Sequence, residues 1–464
     1  MRDYTRQLAK YLVNLRYEDI PPEVLERAKL LIMHVCGVTI AGNGTTMGRH
    51  AVELAQEQMG SGADMATILG VGTKVSAMGA AFANGTMADV LDWEDCSWTG
   101  HPSAGAIPAA MAVAESKRAC GKDLLTAIVG GYDVYQRIGM AVQPDGPLPK
   151  GDGWGLTSWQ IFAAAMPAAK LWGFDEYHMD QAIGMAATLT PVAITVTHNT
   201  RSDAYHYHHG FVARDGIASC YAVEKGFATL TGALENCTGY VKAVNGSPIF
   251  DYWYTKDLGE KYLIMETLFK HWPANMWIQV PLDQLDSLVK THGFGKDDIA
   301  SMTVLPNIKG RMTFHPEGFE SLVDAQFSIP YCLAMYFYEE ASAHWADEKY
   351  LKDKELLEFA SRITSYGEDC NVLFPVFQAG DFIEYTLEVN LKDGRKLKDV
   401  RKFSKGHPRN PFTFEEETEL FRLATKPYLS EAKQNRAIEL FRTLETLDDI
   451  SELVDCLRSD TGIL

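Results

Sequence analysis

The sequence predicts a mainly α protein, built from a large all-α helical domain and a smaller inserted α+β domain. Three observations predict this class. Alanine-rich segments with apolar residues at helical spacing recur through about the first 265 residues. Segments that alternate in the manner of strands first occur after about residue 300. Helical patterns then return towards the end of the chain.

The helical part is best seen in the segment IPPEVLERAKLLIMHVCGVTIAGNG. It opens with prolines, which suit a helix start, and it ends in glycines. Its apolar residues Val24, Ala28, Leu31 and Val35 follow the spacing of one helix face. Similar patterns predict helices at 75–91, 104–118, 158–172, 179–194 and 211–234. Residues 1–267 are therefore expected to form the large helical domain.

The pattern changes in residues 268–403, which we expect to form the small α+β domain. The segment ASMTVLPNI alternates like a strand, and so does FIEYTLEVNLKDGRKLKDV. Within the second segment, Asp393 and Gly394 form the two-residue turn that a β-hairpin requires. The segment SIPYCLAMYFYEE between these strands predicts a helix.

The last segment, 404–464, is expected to return to the large domain as helices. Thr413 is followed three residues later by Glu416, which is the spacing of a capping box at a helix start. The segment SEAKQNRAIELFRTLETLDDISELVDCL is helical in pattern.

Composition excludes several classes of protein. The formal charge of -18 argues against a nucleic-acid partner, because phosphate contacts need clustered Lys and Arg. The N-terminus lacks the unbroken apolar stretch of a secretory signal, and no segment approaches the ~18 apolar residues of a membrane helix. We therefore expect a cytoplasmic protein with no membrane contact. The 8 cysteines lack metal-ligand spacing, so no metal site is expected.

One short stretch, DWEDCSWTGHPSAG, combines features that neither a core segment nor a surface loop needs. Asp92, Glu94 and Asp95 place three carboxylates beside tryptophans, and His101 follows between a glycine and a proline. A surface loop would not need the tryptophans, and a core segment would not accept three negative charges. The combination predicts the lining of a cavity.

This stretch resembles the motif of the MmgE/PrpD family, in which an alternating-acid segment is followed by HPS or a near variant. Other fragments resemble family stretches in the same order along the chain: PPEVLERAK, VSAMGAAFANG, AAAMPAAKLWGF, DAQFSIPY and GHPRNPF. Six collinear fragments make the resemblance specific. The family includes 2-methylcitrate dehydratase, cis-aconitate decarboxylase and iminodisuccinate epimerase.

The resemblance implies a large helical domain with a small α+β insertion, and a homodimer. It also implies that no cofactor and no metal is needed. The substrate would be a small anionic di- or tricarboxylate, which loses or gains a proton or a carboxylate next to an activated carbon. The site would lie at the boundary of the two domains.

Four candidate catalytic residues follow from this resemblance. Asp92 matches the first acid of the motif, and the alternative is a carboxylate that only holds the loop. His101 matches the histidine before proline, with a backbone direction restricted by that proline. Tyr331 matches a tyrosine that reaches the site from the small domain, and the alternative is a tyrosine that only packs in the core. Lys270 matches a lysine of many relatives, which would supply a cation or, if desolvated, a base. The alternative is a solvated lysine without a chemical role. Glu94 and Asp95 are expected to be structural.

Several positions depart from the family pattern. Cys96 stands in place of a threonine, Trp154 in place of a histidine, and Tyr205 in place of a lysine. Arginine and histidine are also replaced, by Met276 and Gln279, and Asp89 occupies a place usually held by a histidine. The loss of cations disfavours cis-aconitate decarboxylation, because each substrate carboxylate needs a strong donor.

Compensation for the lost cations is expected from THNTRSDAYHYHHG, residues 197–210, which we interpret as a loop that carries His198 and His209 among its histidines. The alternatives are a loop without a ligand and a metal site, and the second lacks a convincing ligand set. The candidate substrate-binding residues are Cys96, Trp154, Arg201, Tyr205, His206 and His208.

The leading hypothesis is a cofactor-independent lyase, similar to 2-methylcitrate dehydratase, that abstracts the proton α to a carboxylate of a small polycarboxylate. An isomerase similar to iminodisuccinate epimerase is the first alternative, because it needs the same proton abstraction. A catalytically inactive binding relative is the second, because family cations are missing.

Overall fold

The computed structural model describes residues 3–97, 99–142, 158–191, 202–236, 239–245, 250–308, 310–338, 344–370 and 382–459. Within these ranges the protein is mainly helical with a few small sheets, as the sequence predicts. None of the described helices is long and apolar enough to cross a membrane. The domain boundaries at 267/268 and 403/404 stay predictions.

The N-terminal part consists of helices that pack into one apolar core. They are α1 (Tyr4–Asn14), α2 (Pro22–Gly42), α3 (Thr46–Gln58), α4 (Ala77–Asp89), α5 (Pro102–Lys117), α6 (Gly121–Val142), α7 (Gln160–Leu171), α8 (Glu176–Leu189), α9 (Ala204–Glu224) and α10 (Tyr240–Asn245). Helices α2, α4, α5, α6 and α7 are buried on nearly every side. Two short antiparallel strands, β1 (Met65–Thr67) and β2 (Lys74–Ser76), precede α4.

A second apolar core lies in the segment from about residue 268 to residue 391. Its four-stranded sheet has the order β6-β5-β7-β8, from β5 (Ile299–Leu305), β6 (Ile363–Thr364), β7 (Tyr385–Leu391) and β8 (Lys396–Arg401). The helices of this part are α11 (Gln279–His292), α12 (Leu322–Gln326), α13 (Ile329–Met335) and α14 (Lys354–Ala360). The predicted hairpin forms between β7 and β8, and Gly394 takes the positive φ of 91° that its turn requires.

The chain ends with α15 (Phe414–Thr425), α16 (Glu431–Arg442) and α17 (Ser451–Cys456), whose apolar residues join the core of the N-terminal helices. The capping box predicted at Thr413 and Glu416 is present at the start of α15. A buried polar contact also joins α15 to α2. Nδ1 of His34 lies 2.9 Å from a carboxylate oxygen of Glu417.

Some local predictions were wrong. The helix predicted at 211–234 begins seven residues earlier, at Ala204, and ends at Glu224. Tyrosine and histidine are weak helix formers, and Gly210 interrupts the pattern, so residues 204–210 were interpreted as loop. Tertiary packing overrides these propensities, because α9 contacts α4, α5, α7 and α8. The short strands before α4 were also missed.

The closest helix contact in this region joins α9 to α4. A methyl group on Gly210 would lie 2.4 Å from the carbonyl oxygen of Phe82 and 2.2 Å from Oγ1 of Thr86. On the opposite helix, the corresponding position of Gly85 faces Cα of Gly210 at 3.1 Å. The two glycines therefore let the helix backbones approach each other, which brings the histidines of α9 to the end of α4.

We expect Gly210→Ala to destabilise the protein by about 1–3 kcal/mol, because the added methyl group must push α9 away from α4. Urea unfolding followed by circular dichroism measures this change. Gly295→Ala is the control, since no atom lies within 4 Å of the equivalent methyl position there. Equal stability of the two variants would show that the helices do not need this close contact.

Candidate active site

A two-residue sheet connects the acidic stretch of the N-terminal part to the start of the second core. Strand β3 (Asp95–Cys96) pairs antiparallel with β4 (Leu268–Phe269). The register continues by one residue, so that the backbone N–H of Lys270 donates to the carbonyl of Glu94 at 3.0 Å. This pairing fixes Lys270 directly beside the acidic stretch.

The backbone before this sheet turns sharply. Asp92 has a φ of 50°, in the left-handed region that few residues other than glycine adopt, and its N–H donates to the carbonyl of Asp89 at 2.7 Å. The turn brings the side chains of Asp89, Asp92 and Glu94 into one buried cluster. Strained backbone of this kind occurs often at functional sites.

The rest of the acidic stretch is held by the large core. Asp95 accepts from the N–H of Ser103 at 3.0 Å, at the start of α5, and from the hydroxyl of Tyr132 at 2.8 Å. The indole of Trp159 donates to the carbonyl of Thr99 at 2.8 Å. Asp95 is therefore used for structure, and its neighbour Glu94 faces the cluster.

A histidine on α2 supports the same stretch from behind. Nε2 of His34 donates to the carbonyl of Trp93 at 2.8 Å, while its Nδ1 contacts Glu417. Burial opposes a charge on this imidazole, but the charge and hydrogen bond of Glu417, the carbonyl of Trp93 and the charge of Asp95 together outweigh burial and raise its pKa. The C-terminal helix α15 is thus connected through His34 to the backbone between Asp92 and Glu94.

Lys270 lies at the centre of the cluster. Its ammonium donates to Asp92 and, at 2.7 Å, to Glu94, and it lies 3.4 Å from Nδ1 of His101. Burial alone would lower its pKa, but the charges of Asp92 and Glu94 outweigh burial and raise it. Lys270 is therefore an ammonium at neutral pH and is not available as a base.

The imidazole of His101 has a partner on each ring nitrogen. Its Nδ1 contacts Glu94, and its Nε2 lies 2.5 Å from the hydroxyl of Tyr205. Burial and the nearby Lys270 charge lower the pKa of His101 to about 3. The ring is therefore neutral at pH 7. Its contact with Glu94 is a hydrogen bond through one shared proton, not an ion pair.

Glu94 and Tyr205 complete this chain of contacts. Burial raises the pKa of Glu94 to about 7, against the opposing charge of Lys270. Burial and the charge of Asp92 raise the pKa of Tyr205 well above its usual value, so the phenol keeps its proton. A carboxyl group that titrates near neutrality is thus linked through one imidazole to a phenol.

A second histidine beside the cluster is in the opposite charge state. Nδ1 of His206 lies 2.7 Å from Asp89, and its Nε2 lies 2.8 Å from Oε1 of Gln326. Gln326 donates its Nε2 to the carbonyl of Val90 at 3.0 Å, so its oxygen faces the ring. Burial opposes a charge on His206, but the hydrogen bond and charge of Asp89, the charge of Asp92 and the hydrogen bond to Gln326 together outweigh burial and raise its pKa. Both ring nitrogens face acceptors, as expected for an imidazolium.

The remaining histidines of α9 lie on the same side of the helix. Nδ1 of His209 lies 3.2 Å from the carboxylate of Asp89, and its ring lies 5.6 Å from that of His101. His208 donates from Nδ1 to the carbonyl of Ala204 at 2.7 Å, and burial lowers its pKa. Tyr207 points away and is 40% exposed. Helical periodicity explains this division, because residue 207 lies opposite residues 205 and 209.

The structure differs from expectation at Tyr331. Its ring packs against Phe319, with ring centres 5.1 Å apart, and its hydroxyl has no hydrogen-bond partner among the described residues. Besides burial, the groups that raise its pKa are Cys332, Asp347, Tyr350 and Asp353, none of which belongs to the acidic stretch. Neighbouring helix residues point about 100° apart. Besides burial, the charge of Asp92 raises the pKa of the Cys332 thiol. Cys332, not Tyr331, is therefore the residue of this helix that lies near Asp92.

Sulfur atoms form an apolar side of the cluster. Sγ of Cys96 lies 3.4 Å from Sδ of Met276, and burial raises the pKa of the thiol, which stays neutral. Gln279 binds the backbone: its side-chain amide oxygen accepts from the N–H groups of His271 and Trp272 at 2.9 and 3.0 Å. The predicted residues Trp154 and Arg201, and also His198, lie outside the described residues.

Three of these side chains could geometrically share a cation. Asp89, Glu94 and His101 each offer one ligand atom, and these atoms lie within 4.8 Å of one another. The ammonium of Lys270 lies 2.7 Å from Glu94, so a divalent ion there would be repelled at short range. The donor set therefore fits a metal poorly, and we derive no chemical step through one.

Sequence reasoning included Asp92, His101 and Lys270 in the candidate site but gave Glu94 and Asp89 no chemical role. Gln326 was not considered at all. The signal for Asp89 was present, since it is a carboxylate three residues before Asp92 in an apolar helix. Gln326 carried no such signal, because it contacts the cluster only through the packing of α12 beside α9.

Two family models together match most of the chain. The model of the MmgE/PrpD N-terminal domain matches residues 6–252, and the model of the MmgE/PrpD C-terminal domain matches residues 272–446. The chain belongs to the MmgE/PrpD family.

Curated relatives are similar at low identity. A cis-aconitate decarboxylase of Aspergillus terreus is 26% identical over 242 residues, which cover 51% of this chain and 48% of the relative. The chain therefore spans about half the length of this relative in the match. Human cis-aconitate decarboxylase is 23% identical over 490 residues, which cover 99% of this chain and 95% of the relative.

We expect Lys270→Met to destabilise the protein by about 3–5 kcal/mol, because the buried carboxylates of Asp92 and Glu94 lose their cation. Urea unfolding at pH 7 measures the change. Lys290→Met is the matched control, because Lys290 is 73% exposed on α11 and its ion pair there contributes little. A Lys270 variant as stable as the control would contradict the ion-pair assignment.

Proposed function

We propose that this protein is a cofactor-independent lyase of the hydro-lyase class, which removes water from a small hydroxy-polycarboxylate by α-proton abstraction. The observation that carries the proposal is the buried chain from Glu94 through neutral His101 to Tyr205 beside the ammonium of Lys270. An acid–base group that titrates near the working pH is best suited to proton transfer.

The reaction needs two proton movements. A base takes the proton α to a substrate carboxylate, and the electron pair of that C–H bond forms a carbon–carbon double bond as the neighbouring C–O bond breaks. An acid then gives a proton to the departing hydroxyl, which leaves as water. The Glu94–His101–Tyr205 chain can take up one proton and return it, because the pKa of Glu94 is raised to about 7.

The charges of the cluster support an anionic substrate of limited charge. Asp89 and Asp92 are negative, and Lys270 and His206 are positive, so these four side chains balance. Glu94 adds one negative charge when it is ionised and none when it is protonated, and its pKa of about 7 makes both forms accessible near neutral pH. A dicarboxylate or tricarboxylate would then meet a site whose local charge is close to neutral, in a protein with a net charge of -18.

Decarboxylation is the second candidate, and the relatives favour it, since those named above are cis-aconitate decarboxylases. It would use the same proton chain in one direction only, to protonate the carbanion left by carbon dioxide. We place it second because dehydration uses the proton chain in both directions, whereas decarboxylation uses only the return of a proton. A homodimer stays a proposal as well.

We expect the purified protein to convert 2-methylcitrate or citrate into an unsaturated product, detected by alkene absorbance. His101→Gln should lower the rate by about 10²–10⁴-fold, because it interrupts the proton chain. His50→Gln, at an exposed position of α3, is the control and should keep the wild-type rate.

Product analysis separates the candidate reactions. Carbon dioxide released from cis-aconitate would favour the decarboxylase over the dehydratase. Solvent deuterium that enters an unreacted dicarboxylate without elimination would favour an epimerase. Tight carboxylate binding without turnover of any of these acids would contradict catalysis altogether.

A further inference from the structure

We propose that Tyr205 is the catalytic acid–base residue of this site, at the end of a proton relay that runs through His101 to Glu94. The inference rests on the proposed proton-transfer function and specifies which atom meets the substrate. His101 and Glu94 are then relay residues that act through the phenol.

The first argument is the occupancy of the imidazole. Nδ1 of His101 contacts Glu94, and Nε2 lies 2.5 Å from the hydroxyl of Tyr205. A substrate atom therefore cannot reach a ring nitrogen of His101 unless Tyr205 moves away. The phenol oxygen can donate one hydrogen bond and accept another, so it can contact His101 and a substrate together.

The second argument is that the phenol is held firmly. Tyr205 is 3% exposed and packs with Val323 and Phe327, and its ring meets that of Phe327 edge-on with centres 5.5 Å apart. The adjacent His206 is fixed by Asp89. Helix α9 therefore holds the hydroxyl in line with the imidazole, as a proton relay requires.

The third argument is the continuity of the chain. Lys270 keeps its proton, because Asp92 and Glu94 surround its ammonium. One oxygen of Asp89 faces His206 and His209, and its other oxygen lies 3.7 Å from Nδ1 of His101. Contacts from Glu94 through His101 to Tyr205 are unbroken, so a proton taken up at the phenol can reach the carboxylate.

The relay balances in protons and charge. Initially Glu94 is a carboxylate that accepts from Nδ1–H of His101, and Nε2 accepts from the O–H of Tyr205. The substrate C–H bond breaks, and its proton forms a new O–H bond on Tyr205. The original phenol proton moves to Nε2, and the Nδ1 proton moves to Glu94. Tyr205 and His101 end neutral, Glu94 ends protonated, and the reverse sequence protonates the leaving hydroxyl.

The pH dependence follows from Glu94, whose raised pKa of about 7 is set first by burial. The titratable groups that face the relay are Asp89, Asp92, Asp95, Cys96, Lys270, His206, His208 and His209. Proton abstraction needs Glu94 ionised, so kcat/KM is expected to fall as the pH decreases below about 7.

The test uses Tyr205→Phe, which removes the hydroxyl and keeps the ring, with Tyr207→Phe as the control on the exposed side of the same helix. Nitrogen-15 NMR of the histidine rings, assigned with His101→Gln, reads the contact without any substrate. We expect wild type and Tyr207→Phe to give one protonated and one hydrogen-bonded acceptor nitrogen for His101. Tyr205→Phe should change the acceptor signal. An unchanged signal would overturn the relay.

Kinetics with the accepted polycarboxylate supply the second measurement. Tyr205→Phe should lower kcat by about 10²–10⁴-fold with little change in KM, and the decrease below pH 7 should disappear. A variant that keeps the wild-type rate, or loses rate but keeps that pH limb, would overturn the assignment, because a phenol that only orients His101 leaves the limb intact.

A subtler variant covers the case in which Tyr205→Phe does not fold. Replacement of Tyr205 by 3-fluorotyrosine keeps the geometry and makes the phenol more acidic, so the rate should change at residue 205 and not at residue 207. If no polycarboxylate is turned over but the NMR signature of His101 depends on Tyr205, the relay contact is supported and the lyase assignment fails.

Discussion

The ammonium of Lys270, buried between two carboxylates, is the interaction on which the rest of the site depends. A buried charge is tolerated only with close partners, so Asp92 and Glu94 must both approach one nitrogen. That requirement explains the left-handed backbone at Asp92 and the register of β3 with β4. Lys270 also connects the two apolar cores at one point, because it directly follows β4, the strand that leads into the second core. The charge that stabilises this junction also sets the protonation of its neighbours.

The same cluster holds two imidazoles in different charge states, and their partners are the reason. His206 has an ionised carboxylate and an amide oxygen on its two nitrogens, so its proton affinity rises. His101 has the lysine charge nearby and shares a proton with a carboxyl group that is itself reluctant to ionise. Anion binding and proton transfer can therefore be carried by different residues a few ångströms apart. This division agrees with chemistry on small carboxylates, which need a fixed positive group and a mobile proton.

Much of this arrangement could be predicted from the sequence. The helical class, the hairpin with its Asp–Gly turn and the capping box at Thr413 follow from local patterns, and the structure contains them. Asp92 and His101 were singled out as chemical residues from one acidic stretch and its resemblance to a family, and Lys270 from a family resemblance in a separate segment. Residues 204–210 were interpreted as loop because their propensities are weak, whereas close packing at Gly210 makes them helical. Tyr331 was expected at the cluster, but the next residue of α13, Cys332, is the one that lies on the side of the helix near Asp92.

By itself, the sequence determined the secondary structure of the well-patterned segments, the acidic balance and the kinds of side chain available for chemistry. These properties depend on neighbours along the chain, whose spacing can be read directly. Only the tertiary structure decided which groups are paired: Glu94 with His101, His101 with Tyr205, and His206 with Asp89 and Gln326. Charge state depends on burial and on contacts between residues more than 100 positions apart, as for Tyr205 and His101. No local pattern encodes such contacts, so the roles of these residues become visible only in the folded chain.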